Sequence, residues 1–320
     1  MPVGDAGFVL GTTIAEQLRT FAGKLFRRDD HLARLEHSLR TIGVDPGMTT
    51  GEIARVAEEL VARNHRLLSP GDDLGLSIVV TPGAYPAYPS PGTPQPLVCL
   101  HTYPLPFRLW VEKYDRGQSL VTTQFEQVSP KCWPPTVKCR SRMHYFLADR
   151  EAAAIDPDAR ALLLDQDGLV TETSTANILI FRSGQESKIG KGMDGGLSQF
   201  SFDEKGTVPF GSATGVSSPV LISPPSDKIL HGISQAVAFE LAAQLEIPVT
   251  QRDLTPADVA TADEAFLLST PLCLLPVTRL NGRPIGSGRP GEVFGRLLAA
   301  WNKLVGIDIV GQARRFATRE

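Results

Sequence analysis

The order of strand-like and helix-like segments in the sequence predicts an α+β fold. Three observations carry this. Strand and helix patterns alternate through the first third of the chain. A proline-containing stretch, Tyr103-Pro104-Leu105-Pro106-Phe107-Arg108, then interrupts them and fits an inter-domain linker. Beyond it strands dominate, with helices interspersed. The expected partition is a small α+β domain over residues 1–102, a linker over 103–113 and a large domain over 114–320.

The first segment, Thr13 to Phe21, reads as a strand, and Ala22-Gly23-Lys24 turns it into Leu25-Phe26-Arg27. A helix follows with Leu32, Leu35, Leu39 and Ile42 on one stripe and Gly43 as its stop. A second helix opens with a capping box at Thr49-Thr50-Gly51-Glu52, and Ile53, Val56, Leu60 and Val61 are expected to face inward. Leu76–Thr81 and Leu97–His101 look like strands. Residues 82–96, rich in proline, glycine and tyrosine, read as a loop.

In the large domain, strands are expected at Leu120–Phe125, Ala161–Asp165 and Leu169–Thr173. Asp165-Gln166-Asp167-Gly168 joins the last two as a hairpin turn in which glycine supplies φ > 0. Gly184 to Ser218 is loaded with glycine and serine and reads as a long inserted loop. Leu221 starts the next strand, and a helix beginning after Gly232 carries Val237, Phe239, Leu241 and Leu245. Thr255-Pro256-Ala257-Asp258 caps another helix, with threonine at N-cap and proline at N1. Glu264–Thr270 is a buried strand ending in a hydroxyl. After it, Pro290-Gly291 opens a closing helix with Val293, Phe294, Leu297, Leu298 and Trp301 on its core side.

Composition agrees with a water-soluble catalyst. The chain has 320 residues, with 32 basic against 35 acidic side chains, so no general attraction to nucleic acid or membrane is expected. No apolar stretch is long enough to span a bilayer, and the first residues have no signal-peptide pattern, so a cytoplasmic location is expected. Cys99, Cys132, Cys139 and Cys273 are scattered without a Cys-x-x-Cys pair, so free thiols and no metal site are expected.

Two residues carry most of the chemistry. Lys138 lies in Thr136-Val137-Lys138-Cys139-Arg140-Ser141-Arg142-Met143, and Glu172 lies in Leu169-Val170-Thr171-Glu172-Thr173-Ser174-Thr175-Ala176-Asn177. A lysine amine forms Schiff bases with carbonyl compounds, and a carboxylate holds a pyridine nitrogen protonated. Most lysines and glutamates are merely solvated, so the surrounding strings have to decide. A helix opening directly after Gly232 presents free backbone N–H groups that suit a phosphate. His31-Leu32-Ala33-Arg34-Leu35 supplies a guanidinium able to grip one.

Taken together, these four separated strings resemble the fold-type IV pyridoxal-phosphate enzymes. That family includes branched-chain aminotransferases, D-amino-acid aminotransferases, (R)-selective amine transaminases and aminodeoxychorismate lyases. The resemblance runs from Gly7 to about Val305. It implies a small α/β-sandwich domain and a larger β-barrel-like domain with flanking helices. It implies a homodimer and pyridoxal 5′-phosphate as cofactor. Lys138 would carry the cofactor as a Schiff base and act as general acid/base. Glu172 would pair with the ring nitrogen, and Leu230 would pack on the ring face. Arg34, Gly232, Ile233, Ser234 and Thr270 would hold the phosphate. His31 reads as structural.

Four departures fall where the family recognises its substrate and tunes the ring. Met143 lies near the position of a tyrosine of branched-chain enzymes, Ser77 replaces a basic residue, Gln235 replaces an arginine, and Pro271 follows the phosphate threonine without an N–H. Arg108, Arg140 and Arg142 are candidates for the missing charge. Three readings follow. The first is a branched-chain-like aminotransferase moving an amino group from an amino acid to a 2-oxo acid. The second is an aminodeoxychorismate-lyase-like enzyme releasing pyruvate, which the Lys138–Arg142 spacing resembles. The third is a cofactor-binding protein of this fold with little turnover.

Overall fold

The computed structural model describes residues 2–88, 95–184 and 218–319. The expected insert at 184–218 therefore lies, apart from its two ends, outside the described residues. So does most of the proline-rich part of the 82–96 loop.

A short turn of helix, α1 (Ala6–Val9), precedes β1 (Ile14–Phe21), which hairpins into β2 (Lys24–Leu25). Helices α2 (Arg28–Ile42) and α3 (Thr50–His65) follow, then β3 (Leu74–Thr81) and β4 (Leu97–Pro104). The four strands form one antiparallel sheet in the order β2-β1-β3-β4. Both helices pack on it. Side chains alternate across a strand, so the sheet has two unlike faces. Ile14, Leu18, Leu76, Ile78 and Val80 pack with Leu32, Leu35, Leu39, Ile53 and Val61 under the helices. The other face carries Arg19, Ser77 and Tyr103.

Local chemistry accounts for the helix ends. Gly43 terminates α2 at φ 70°, a left-handed conformation that glycine adopts without strain. The Thr49–Glu52 capping box is formed in both directions. In α3, however, Ala57 joins Ile53 and Val61 in the buried stripe, while Val56 and Leu60 are only half-buried. The stripe drifts because 3.6 residues per turn place position 57, not 56, over 53 and 61. β4 also runs through Tyr103 and Pro104, the first residues of the expected linker, because both still pair with β3.

The rest of the chain builds a second, nine-stranded sheet and its helices: α4 (Lys113–Arg116), β5 (Gln118–Thr122), α5 (Met143–Ile155), β6 (Ala159–Leu164), β7 (Val170–Thr173), β8 (Ala176–Arg182) and β9 (Val220–Ser223). It continues with α6 (Ile233–Gln244), β10 (Val249–Gln251), α7 (Pro256–Ala260), β11 (Glu264–Ser269), β12 (Cys273–Leu280), β13 (Arg283–Pro284), α8 (Glu292–Val305) and α9 (Ile309–Phe316). β5 ends at Thr122, three residues short of the expected strand. The path β8-β11-β12-β5-β6-β7 closes on itself through the β7–β8 pairing, giving a six-stranded barrel. β9 and β10 extend it from the far end of β8. Ile178, Leu179, Phe266, Leu267, Leu274 and Leu275 are fully buried in its core. α9, absent from the sequence expectation, packs Ile309, Ala313 and Phe316 into the same core. Among the described residues no helix is long and apolar enough to cross a membrane.

The barrel and the four-stranded sheet are stitched together. Arg19 is 1% exposed and donates to the Pro271 carbonyl (2.9 Å) and to Gln312 Oε1 on α9 (2.9 Å). Cys139 bridges to Ile14, the Ala15 N–H donates to the Lys138 carbonyl (3.0 Å), and the Arg140 N–H donates to the Thr13 carbonyl (2.8 Å). The lysine-bearing segment, read from the sequence as part of the large domain, thus lies along β1 of the first sheet.

Candidate active site

Strand register brings the site residues to one end of the barrel. Glu172 on β7 is opposite Asn177 on β8, and Asn177 is opposite Leu268 on β11, two residues before Thr270. Asn177 Nδ2 donates to the Leu230 carbonyl (2.9 Å), which draws the turn before α6 onto this end. Gly232 caps α6 without any side-chain bond. A Cβ at Gly232 would run into Asn177 Oδ1, so the close approach requires glycine. The first N–H groups of α6, at Ile233 and Ser234, are left for a ligand. Thr270 stands half-buried just past β11, against which α6 packs.

Lys138, Glu172 and Leu230 line one cavity, together with Gln127, Arg142 and Tyr145. Burial, aided by Arg34, Arg142 and Arg140, brings the Lys138 amine down to about 7, against a weaker opposing pull from Glu16. A lysine so placed is about half neutral near pH 7, far more than an ordinary lysine, and that fraction is nucleophilic. A wider cleft, lined by Gly23, Arg27, Asp30 and Glu58, holds none of the motif residues.

Glu172 is buried, and burial pushes its carboxyl pKa up. Tyr145 Oη (2.7 Å) and Gln127 Nε2 (2.8 Å) both donate to its Oε1, and the Tyr145 bond opposes that shift. His144 Nε2 lies 2.9 Å from Gln127 Oε1, which also accepts the Val128 N–H (2.9 Å). Burial drives His144 down to about 4, so it is neutral at pH 7 and donates to that oxygen. The Gln127 amide is thereby oriented with its NH₂ toward Glu172.

Arg34 is gripped rather than free. Its Nε and Nη2 donate to the two oxygens of Glu16 (2.7 and 2.8 Å), and its Nη1 donates to the His231 carbonyl (2.6 Å) beside Gly232. His31 Nδ1 meets Glu16 Oε2 at 2.8 Å. Burial would raise the fully buried Glu16 carboxyl, but Arg34 and His31 override it and hold Glu16 well below the usual carboxylate range. Burial lowers the His31 pKa, which favours the neutral ring, and Nδ1 then donates to Glu16. The ring Nε2 has no hydrogen-bond partner among the described residues.

The motif residues therefore divide in two. Lys138, Glu172 and Leu230 share a cavity, while Arg34 reaches the adjoining turn that holds Gly232, Ile233 and Ser234, and Thr270 follows the strand on which α6 packs. Met143 is 69% exposed and takes no part. Sequence reasoning missed Glu16, Gln127, Tyr145 and Asn177. Glu16 and Asn177 had a signal, a polar residue inside an apolar strand. Gln127 and Tyr145 had none.

The chain belongs to the class IV aminotransferases. The family described as "Amino-transferase class IV" matches residues 13–280. A D-alanine aminotransferase of Bacillus licheniformis is 25% identical over 91% of this chain and 87% of its own length. A putative branched-chain-amino-acid aminotransferase of Methanocaldococcus jannaschii is 26% identical over 92% of this chain and 88% of its own. The crystal structure of a T.th. branched-chain amino acid aminotransferase with pyridoxamine 5′-phosphate superposes with TM-score 0.75 and 22% identity. It covers 98% of this chain and 90% of the other. The fold is that of the fold-type IV enzymes, and the chain is a PLP-dependent transferase by family.

Proposed function

We infer that this aminotransferase moves an amino group between a branched-chain-like amino acid and a 2-oxo acid, with pyridoxal 5′-phosphate seated between Lys138 and the turn before α6. One observation carries the reading. An amine brought down to about 7 and a hydrogen-bonded buried carboxylate line the same cavity, beside an uncapped helix start. Those groups match the cofactor's aldehyde, ring nitrogen and phosphate respectively.

The cofactor supplies an electron sink for the bond broken at the substrate carbon. The protein supplies the rest. Lys138 Nζ would hold the cofactor and would carry a proton from the substrate carbon; its lowered pKa suits both roles. Glu172, which accepts hydrogen bonds from Tyr145 and Gln127, would pair with the ring nitrogen and keep its proton there. Arg34, the N–H groups of Ile233 and Ser234, and the Thr270 hydroxyl would hold the phosphate, and Leu230 would lie on the ring face. Tyr145 and Gln127 keep Glu172 in place as positioning residues.

A branched-chain relative and a D-alanine relative stand at nearly equal identity. The substrate test therefore compares L-leucine with D-alanine, following loss of the bound cofactor's visible band and appearance of the 2-oxo acid. Bleaching by L-leucine alone supports the reading. Bleaching by D-alanine alone replaces it with a D-amino-acid aminotransferase, and pyruvate released without bleaching indicates lyase chemistry. We also infer a cytoplasmic homodimer, as the family resemblance implies. A monomeric mass by light scattering at micromolar concentration contradicts the dimer.

A further inference from the structure

Most guanidinium groups near the site are already engaged. Arg34 is held by Glu16, and Arg19 donates to Pro271, Gln312 and Thr20. Arg140 and Arg142 differ. Both are half-buried. Among the described residues neither forms an ion pair. Arg140 makes one marginal contact, Nη2 to Ser77 Oγ at 3.5 Å. Arg142 donates Nε to the Cys139 carbonyl (3.1 Å), which leaves its two terminal nitrogens free, and its guanidinium stands 5.8 Å from the Tyr145 ring centroid.

Their backbone is fixed. The Arg140 N–H is bonded to Thr13, and Ser141 Oγ donates to the Gly11 carbonyl (2.8 Å). Arg142 lines the same cavity as Lys138 and Glu172, and the charges of both arginines reach Lys138. Ser77 and Tyr103 stand on the sheet face opposite the helices, where Arg140 meets it. Two half-buried cations without a counter-charge are costly unless an anion arrives.

The two departures that leave the family's usual carboxylate positions vacant are closed off here. Pro271 has no N–H, and its carbonyl accepts from Arg19. Gln235 is buried and donates Nε2 to Ser223 Oγ (2.9 Å). Arg108 is exposed and does not line the cavity; Arg140 does not line it either, but it sits two residues from Lys138 and close enough for its charge to act on Lys138 and Arg142. Only Arg140 and Arg142, of the three candidate arginines, flank Lys138 in space.

We propose that Arg140 and Arg142 form the subsite for the substrate's carboxylate, with Ser77 and Tyr103 positioning Arg140. This rests on the aminotransferase reading above and gives its substrate a required feature: the amine must carry a carboxylate. A planar guanidinium takes a carboxylate by paired charge-assisted hydrogen bonds. The subsite lies next to the amine that attacks, so it would also fix the substrate's orientation.

The test uses the holoenzyme and two carboxylate-directed readouts. The first is the stabilisation of the holoenzyme by 4-methylvalerate, a carboxylate without an amine, in a thermal melt. The second compares KM for L-leucine with that for 3-methylbutylamine, the same skeleton without the carboxylate. In Arg140→Gln and Arg142→Gln, affinity for 4-methylvalerate should fall about 10- to 100-fold. KM for L-leucine should rise comparably, kcat/KM for 3-methylbutylamine should stay within about twofold, and Arg140→Lys should recover part of the loss. Arg40→Gln, an exposed arginine on α2, should change nothing. Unchanged 4-methylvalerate affinity in both glutamine variants overturns the subsite. So does a wild-type holoenzyme that 4-methylvalerate does not stabilise. A loss of pyridoxal-phosphate affinity matching the carboxylate loss also overturns it, because the arginines then serve the phosphate. The melt needs no turnover, so a wild type that binds the carboxylate yet transfers no amino group defeats the aminotransferase reading alone.

Discussion

The arginines on the two sides of Lys138 are treated in opposite ways. Arg34 is locked by a buried carboxylate that is itself locked by His31, and one remaining nitrogen points at the turn before α6. Arg140 and Arg142 have no counter-charge among the described residues. That contrast supports a different role for each. A guanidinium fixed by its own carboxylate carries little net charge and works through geometry, presenting one donor at a set angle. An unpaired one keeps its charge and awaits an anion. The first arrangement suits a resident cofactor, and the second suits a substrate that comes and goes.

Breaking the locked side should do the most damage. Glu16→Gln leaves Arg34 charged beside a neutral amide in a buried position, and removing one partner of a buried pair costs about 3–5 kcal/mol. Chemical denaturation of the two proteins at pH 7 measures this. The sign with pH is fixed. The folded Glu16 carboxyl lies below its ordinary 4.5, so its contribution is present above that value and lost as pH falls beneath it. The gap between wild type and Glu16→Gln should shrink below pH 4.5. A gap that stays constant down to the acid transition contradicts the pair's role.

Glu172→Gln comes next. The amide retains hydrogen bonding but not the charge that holds the ring nitrogen protonated, so turnover should fall by ~10²–10³ while the cofactor stays bound. Unchanged turnover on a confirmed substrate returns Glu172 to the status of a buried strand carboxylate.

Arg34→Ala probes the locked guanidinium itself. Loss of a charge-assisted contact to a phosphate should weaken pyridoxal-phosphate binding about ten- to a hundredfold. Arg40→Ala, on the same helix but exposed and 3.9 Å from Glu36, should leave binding unchanged. Titration of the apo-protein decides it, and equal affinities would remove Arg34 from the phosphate site.

A more modest effect follows from the amine between the two sides. The apo-protein should load pyridoxal phosphate faster as pH rises through about 7, then level off, because only the neutral amine attacks. The folded Lys138 lies below its ordinary 10.5, so the unfolded chain binds more protons between the two values. Apo-protein stability should therefore gain a contribution that grows from pH 7 to 10.5. Lys138→Met should lack both the loading and that contribution.

What the sequence revealed follows the same division. The residues read as covalent and anion-binding motifs come from short strings, and the structure gathers them at one end of the barrel: Lys138, the turn at Leu230 to Ser234, and Arg34 after His31. The four-stranded sheet with its capped helices was legible through period and caps at Gly43 and Thr49. Closure of the barrel was visible only by family likeness, because the β7–β8 pairing at Glu172 and Asn177 leaves no local pattern. The partners that set the site's electrostatics were hidden. Glu16 lies 18 residues from Arg34, and Gln127 lies 45 from Glu172. Nothing in either string announces the other. The docking of Val137–Ser141 on β1 was equally illegible, since a backbone bridge between Cys139 and Ile14 depends on no side-chain type.

Every role assigned around the cavity depends on Lys138 as the residue that holds the cofactor. The holoenzyme is reduced with borohydride, digested, and its peptides weighed. A single pyridoxyl-lysine is expected in the peptide containing Val137, Lys138 and Cys139, and none in Lys138→Ala, whose visible absorption should also be lost. A pyridoxyl group on another lysine of the wild type, or a trappable one remaining in Lys138→Ala, would contradict it.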